Sequence, residues 1–420
     1  MSRVAIEHPP FLQRFTDAPA LSCTRGLEAG LAIIFFCLFS QGLIGPVFAS
    51  SADPESSAIL RLMWLPVYAV TLLMIAARPG ATFRVIASSP LLVGLVMLTM
   101  ASVVWSLAPD VTLRRSFALI MTSLFGFWFA ARWSWRDAIL IIATSFFILA
   151  ILSVIFALAI PSIGVDHAVH AGAWKGIWWE KNTLGAMMAW GSVSALAAAQ
   201  INPERRWTWR AMAVLCTALV LLSTSKTALL AWLLGVGGIA GIGLCRQGFG
   251  FAAMTLCLSL TGAVLAGMAL LIAPIEALEL LGRDATLTGR TDIWVVLLDQ
   301  IRAAPWTGYG YRAYWVAETG PVFWVRQETA WDVPTAHNGW LETALAIGLP
   351  GVVLLALVYV RALGRVIARL FAGPETYFVL PWIAMLGLVS ISESNFLQQN
   401  GLSWTLFVFA SAKLADRRAR

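Results

Sequence analysis

His337, Asn338 and Glu342 stand where a long polar segment gives way to an apolar run that continues through Leu345-Ala346-Ile347-Gly348-Leu349-Pro350-Gly351. Titratable groups at the edge of an apolar segment are costly unless they face a cavity, so they mark a candidate functional site. The pattern places His337 in the first turn of a helix, with Thr335 as candidate N-cap. A helix start carries partial positive charge and favours the neutral ring, the form able to take a proton from a hydroxyl. The bland alternative is a histidine satisfied by loop carbonyls. Pro350, between two glycines, is expected to kink this helix and shape a cavity below the histidine.

Cations recur in the segments that would share this side. Thr288-Gly289-Arg290-Thr291-Asp292 precedes an apolar pattern, Trp294, Leu297, Leu298 and Ile301, that fits one face of a helix ending before Pro305. Free N–H groups at a helix start beside an arginine suit a phosphate; Arg290 could instead pair with Asp292 or Asp284 and only fix the loop. Lys226, in Ser223-Thr224-Ser225-Lys226-Thr227, and Lys181, after Trp179-Glu180, each admit two readings: a snorkelling side chain at a helix end, or a cation for a diphosphate. Arg114 and Arg115 follow Trp105-Ser106-Leu107-Ala108-Pro109-Asp110 and run against the charge bias of the rest of the chain. His167 and His170 have ligand-like spacing but make a weak metal case. No P-loop, Gly-x-Ser-x-Gly elbow or Asp-x-Asp pair is present, which argues against ATP-driven transport and nucleotide-sugar transfer. No cofactor and no metal are expected.

Positioning these groups falls to an apolar scaffold. Of 420 residues, 59% are hydrophobic and 12% charged, about half the charge of a soluble domain. Apolar runs of bilayer-spanning length recur. The expected spans are 27–49, 59–77, 90–107, 113–131, 137–160, 183–200, 207–223, 226–244, 250–273, 337–360, 376–392 and 397–413, twelve helices in an all-α polytopic membrane protein. Residues 1–273 would hold nine of them, 274–336 a large outer loop with an amphipathic helix, and 337–420 the last three. This arrangement puts 18 of the 29 basic residues on the inner side, which predicts both termini in the cytoplasm. The net charge of +7 then reads as an insertion signal rather than a nucleic-acid footprint. The first apolar run is long for a cleaved leader and is expected to stay as an anchor. The five cysteines lie in or beside apolar segments, with no disulfide or zinc spacing.

Four segments, Trp179–Gly185, Ser223–Thr227, Thr288–Trp294 with Thr307-Gly308-Tyr309-Gly310-Tyr311, and His337–Gly351, occur in the order found in the O-antigen ligase/polymerase superfamily, which the chain resembles. The segment 105–115, Ser225-Lys226-Thr227 and Lys181-Asn182-Thr183-Leu184-Gly185 look most like its ExoQ-like exopolysaccharide polymerase branch. Many relatives carry arginine where Lys226 stands. The resemblance implies a glycosyltransferase of the bacterial inner membrane, with residues 274–336 as its periplasmic loop, working on the periplasmic face on a donor glycan carried by undecaprenyl diphosphate. His337 would be the base, and Arg290 would stabilise the diphosphate leaving group. Lys226, Lys181, Arg114, Arg115, Arg312, Asn338 and Tyr311 would bind substrate. The partners implied are the lipid-linked glycan, the bilayer and other polysaccharide export components. Polymerisation of repeat units is the first reading, ligation to a lipid or protein acceptor the second, and a transporter or flippase without chemistry the third.

Overall fold

Proline sets several helix starts. Its fixed φ suits the first helical position, where the missing N–H has no intrahelical acceptor to lose, and helices begin at Pro79, Pro90 and Pro109. The computed structural model describes residues 23–44, 46, 58–167, 170–272, 290–316, 320–329 and 333–416. In chain order, α1 (Cys23–Phe39) precedes α2 (Ala58–Ala77), and α3 (Pro79–Ala87) follows α2 across a bend of 99°. Next, α4 (Pro90–Ala101) tightens into a 3-10 turn at Ser102–Trp105 and leads to α5 (Pro109–Arg132) and α6 (Trp135–Ala159). A second group comprises α7 (Lys181–Ile201), α8 (Arg206–Leu222), α9 (Lys226–Cys245) and α10 (Phe249–Ile272). Two helices, α11 (Arg290–Ala303) and α12 (Pro321–Thr329), occupy the long segment before α13 (Gly339–Ile367), α14 (Thr376–Val389) and α15 (Leu402–Ala415).

Each expected span coincides with a helix, and no strand occurs among the described residues. By length and composition α6, α7, α9 and α13 can cross a membrane, and the bent pair α2–α3 makes a fifth candidate. The chain is therefore an all-helical membrane protein with at least four candidate spans. Large apolar side chains such as Leu73, Val214, Leu256, Leu258 and Val360 are exposed on the helix exteriors, as a surface bathed in lipid requires.

Three elements depart from expectation. α1 ends at Phe39 rather than near residue 49, because Gln41 and Leu43 turn into the left-handed region (φ 58° and 63°). The Leu43 N–H then donates to the Ile177 carbonyl at 2.7 Å. The stretch after α2, expected as a loop, is the helix α3. On α11, Leu297 and Ile301 of the predicted face are buried, but Ile293 joins them in place of Leu298, which is exposed.

The centre of the bundle is α15, buried from Leu402 through Leu414; a helix apolar all round belongs in a core. Close packing elsewhere relies on small residues. A Cβ at Gly185 would stand 2.6 Å from Ala228, and one at Gly235 2.4 Å from Met385. Contacts sort the bundle into two ends. At one, Arg25 pairs with Asp137 at 2.8 Å, Arg132 with Glu28, and Lys413 donates to the carbonyls of Ala130 and Trp133. The other end gathers the segments around Trp105, Lys181, Thr224, Thr307, His337 and Ser390.

Candidate functional site

Asn338 caps α13: its side-chain oxygen accepts from the N–H groups of Trp340 (2.9 Å) and Leu341 (3.2 Å). The helix thus starts at Gly339. His337 precedes it with φ 46°, and its N–H donates to Thr335 Oγ1 at 3.3 Å. So Thr335 braces the turn but is not the N-cap, and His337 lies outside the first turn. Glu342, buried in that turn, accepts from the Ala336 N–H and from Trp315 Nε1, both at 2.9 Å. A carboxylate is favoured at a helix start, and this one ties the approach to His337 onto α13. Burial, with Tyr309 and Glu342 nearby, raises the Tyr314 hydroxyl pKa, so that phenol stays neutral beside the carboxylate.

On its other side the histidine turn meets the segment between α14 and α15. The Gly339 N–H donates to the Ser390 carbonyl at 2.8 Å, and a Cβ at Gly339 would stand 2.9 Å from Phe396. His337 Nδ1 lies 3.7 Å from Glu393 Oε2, with the two side chains 18% and 32% exposed. That is ion-pair distance for a protonated ring, and catalytic contacts commonly tighten only when substrate binds. Glu393 escaped the reading of the sequence. Its signal is nonetheless present: eight of the eleven residues from Ser390 to Asn400 are polar, across the junction of the expected spans 376–392 and 397–413.

Below the histidine α13 is broken. Ile347 (φ −137°) and Gly348 (φ 69°) are non-helical, which frees the carbonyls of the preceding turn. The Tyr309 and Gly310 N–H groups supply the missing donors, to Leu345 O at 2.7 Å and Ala346 O at 3.1 Å, and the Leu349 N–H reaches Pro305 O at 2.7 Å. Irregular backbone within an apolar bundle survives only when its polar groups are paired in this way. Gly308 (φ 63°) has no room for a side chain, since a Cβ would meet Leu345 O at 2.6 Å. Pro350 was expected to kink the helix; the break falls just before it.

The same inserted loop carries Tyr311 and Arg312. The Tyr311 hydroxyl donates to the Leu397 carbonyl at 2.6 Å and lies 2.8 Å from Gln399 Oε1; its N–H donates to Ser102 Oγ. It is a buried wall residue. The Arg312 carbonyl accepts from Arg115 Nη1 at 3.2 Å, so Arg115 is brought to the loop, while Arg114 is exposed on the neighbouring position of α5. Tyr311, Arg312, Glu342, Thr343, Phe396 and Leu397 line a small open cleft.

A second cluster forms where α7 and α9 begin. Lys181 opens α7 and donates to Thr224 Oγ1 at 3.2 Å; Lys226 opens α9 behind its N-cap Ser225. Asp166 and Lys226 are charges that act on Lys181. Two helix starts, each with a lysine, make a setting for an anion. α9 runs antiparallel to α14, with Gly235 against Met385 and Arg246 bonded to Thr376. That pairing sets Lys226 level with the turn that holds Glu393. Arg290 is the first residue of α11, but its side chain lies outside the described residues, as do Thr288, Gly289 and Trp331.

Residues 211–356 match the protein family described as O-antigen ligase. The chain is also similar to the exopolysaccharide production protein ExoQ of Rhizobium meliloti (strain 1021), 29% identical over 148 residues, which is 33% of each chain. The similarity thus spans about a third of that relative's length. Lys226, Arg290, Arg312 and His337 fall inside the family match; Lys181, Arg114, Arg115 and Glu393 lie outside it.

Proposed function

We propose that this chain, which matches the O-antigen ligase family over residues 211–356 and is similar to ExoQ, is a membrane glycosyltransferase that joins repeat units carried on undecaprenyl diphosphate into exopolysaccharide at the periplasmic face. The observation that carries this reading is the His337 imidazole, with a carboxylate facing its Nδ1, at the same end of the bundle as two helix-start lysines.

In the reaction, the acceptor sugar hydroxyl gives its proton to His337 Nε2 as its oxygen attacks the anomeric carbon of the donor. The bond from that carbon to the diphosphate breaks, and the electron pair leaves with the phosphate oxygen. Glu393 holds the ring and faces the imidazolium that forms, a role seen wherever a carboxylate backs a histidine base. Lys181, Lys226 and Arg290 receive the charge that develops on the diphosphate. Cleavage of the sugar–phosphate bond supplies the driving force.

The composition of lipid-linked intermediates in a deletion strain tests the assignment. A polymerase leaves single repeat units on undecaprenyl diphosphate and little long polysaccharide. Long glycan stranded on the carrier would instead favour the ligase activity that the family description names. Intermediates that never reach the outer leaflet would point to a flippase.

A further inference from the structure

At the end of the bundle opposite His337, a recess open to the surroundings lies between the turn into α4, the second half of α13 and the end of α15. Ser89, Leu91, Leu92, Arg361, Arg365 and Ser411 are among its walls. Three independent features converge there. Ser89 and Ser411 are 7% and 5% exposed, and neither hydroxyl has a hydrogen-bond partner among the described residues. A buried hydroxyl left unpaired is costly, and Ser89, although it is the N-cap of α4, does not cap it. The first turn of this twelve-residue helix therefore presents the N–H groups of Leu91 and Leu92 towards the same space, without intrahelical acceptors. Arg361 and Arg365 stand four residues apart on α13, on one face. The charges acting on Arg365 are Arg361 and Arg369, both positive. Like charges at this spacing repel, so an anion between them would relieve the pair.

We infer that this cavity is a binding site for a phosphate group, supplied by the headgroup of an anionic phospholipid in the leaflet opposite the active site. Two guanidinium groups, a helix start and two hydroxyls satisfy the several acceptor oxygens of a phosphate diester. Basic pockets between membrane helices at the cytoplasmic interface favour such headgroups. The site is far from the sugar-transfer chemistry and does not depend on it.

The test uses the purified full chain in a zwitterionic detergent, titrated with phosphatidylglycerol, phosphatidylcholine or inorganic phosphate. Native mass spectrometry counts retained lipid, and a melting curve reads stability. Phosphatidylglycerol should be retained and should raise Tm, with phosphatidylcholine bound about tenfold more weakly. The double variant Arg361→Gln/Arg365→Gln should lose that preference. Ser411→Ala should fold as well as the parent without lipid, since it removes an unpaired hydroxyl, yet bind phosphatidylglycerol more weakly; this keeps the test open if the arginine variant fails to fold. Stabilisation by inorganic phosphate equal to that by phosphatidylglycerol would assign the site to a soluble phosphate and overturn the lipid source. Equal retention of both lipids, or an undiminished preference in the variants, would overturn the site itself.

Discussion

A histidine acts as a base only if its ring is held and its product charge is tolerated, and under the proposed mechanism Glu393, distant in sequence but 3.7 Å from His337 Nδ1, meets both needs. His337→Ala should lower polymer formation by about 10²- to 10⁴-fold, the usual worth of a positioned base, with protein level in the membrane unchanged. Glu393→Gln should cost about 10-fold or more while Glu393→Asp recovers part; chain-length analysis of secreted polysaccharide separates these. Wild-type chains from the Gln variant would reduce Glu393 to a loop residue. For Arg290, replacement by alanine should lose about 2–4 kcal/mol of transition-state stabilisation. Lysine should restore only part, because it lacks the planar two-point contact; turnover of lipid-linked substrate by isolated membranes measures both. The place of His337 beside a helix start was legible in the sequence because an apolar run follows it at once. Glu393 was not, because its meaning depends on a turn that reaches His337 only after α13, α14 and α15 pack. Asn338 shows the opposite difficulty: a polar residue beside the base reads as a substrate contact, yet its oxygen is committed to capping the helix.

At the scale of elements, the critical device is the break in α13 and the glycine loop that fills it. Gly308→Ala should destabilise the protein by about 2–4 kcal/mol, since it combines a left-handed backbone with a contact to a carbonyl oxygen. A lowered melting temperature of the detergent-solubilised chain would show this, whereas an unchanged one would mean the loop can withdraw without cost. Pro350 made a kink foreseeable. Its place at Ile347–Gly348, and the donors from Tyr309 and Gly310, could not be read from a linear pattern, because backbone pairing between irregular segments leaves no periodicity. Helix existence was legible nearly everywhere, since hydropathy alone dictates it in a membrane. Boundaries were less so: α1 stops at Phe39 although the apolar run continues to Ala49, and the breakers Gly42, Gly45 and Pro46 sit inside that run.

For the whole molecule, the two ends differ in what they gather. One collects ion pairs and arginines that fix helix starts and ends, such as Arg25–Asp137 and the bonds of Arg246 to the turn before α14. The other collects the histidine, the helix-start lysines and the long segment between α10 and α13. Arginine asymmetry predicts that the first end faces the cytoplasm. Reporter fusions after Arg246 and within residues 310–320 should therefore report opposite sides of the membrane. A common side for both would show that the number of crossings between them is even. The grouping into ends was within reach of the sequence, because charge and hydropathy govern it; which cations approach one another was not, since that depends on the register of α9 against α14.

The paired backbone of Tyr309, Gly310, Leu345 and Ala346 also governs how such a chain can be made. Synthesis proceeds from the N-terminus, so residues 305–312 emerge from the ribosome before α13 exists. When α13 enters the bilayer, its two freed carbonyls would each cost several kcal/mol facing lipid, and the donors that relieve them are already waiting on the far side. Assembly therefore has a built-in order. A chain cut or delayed within the segment before α13 would leave a membrane helix that inserts but cannot settle, a ready target for quality-control proteolysis.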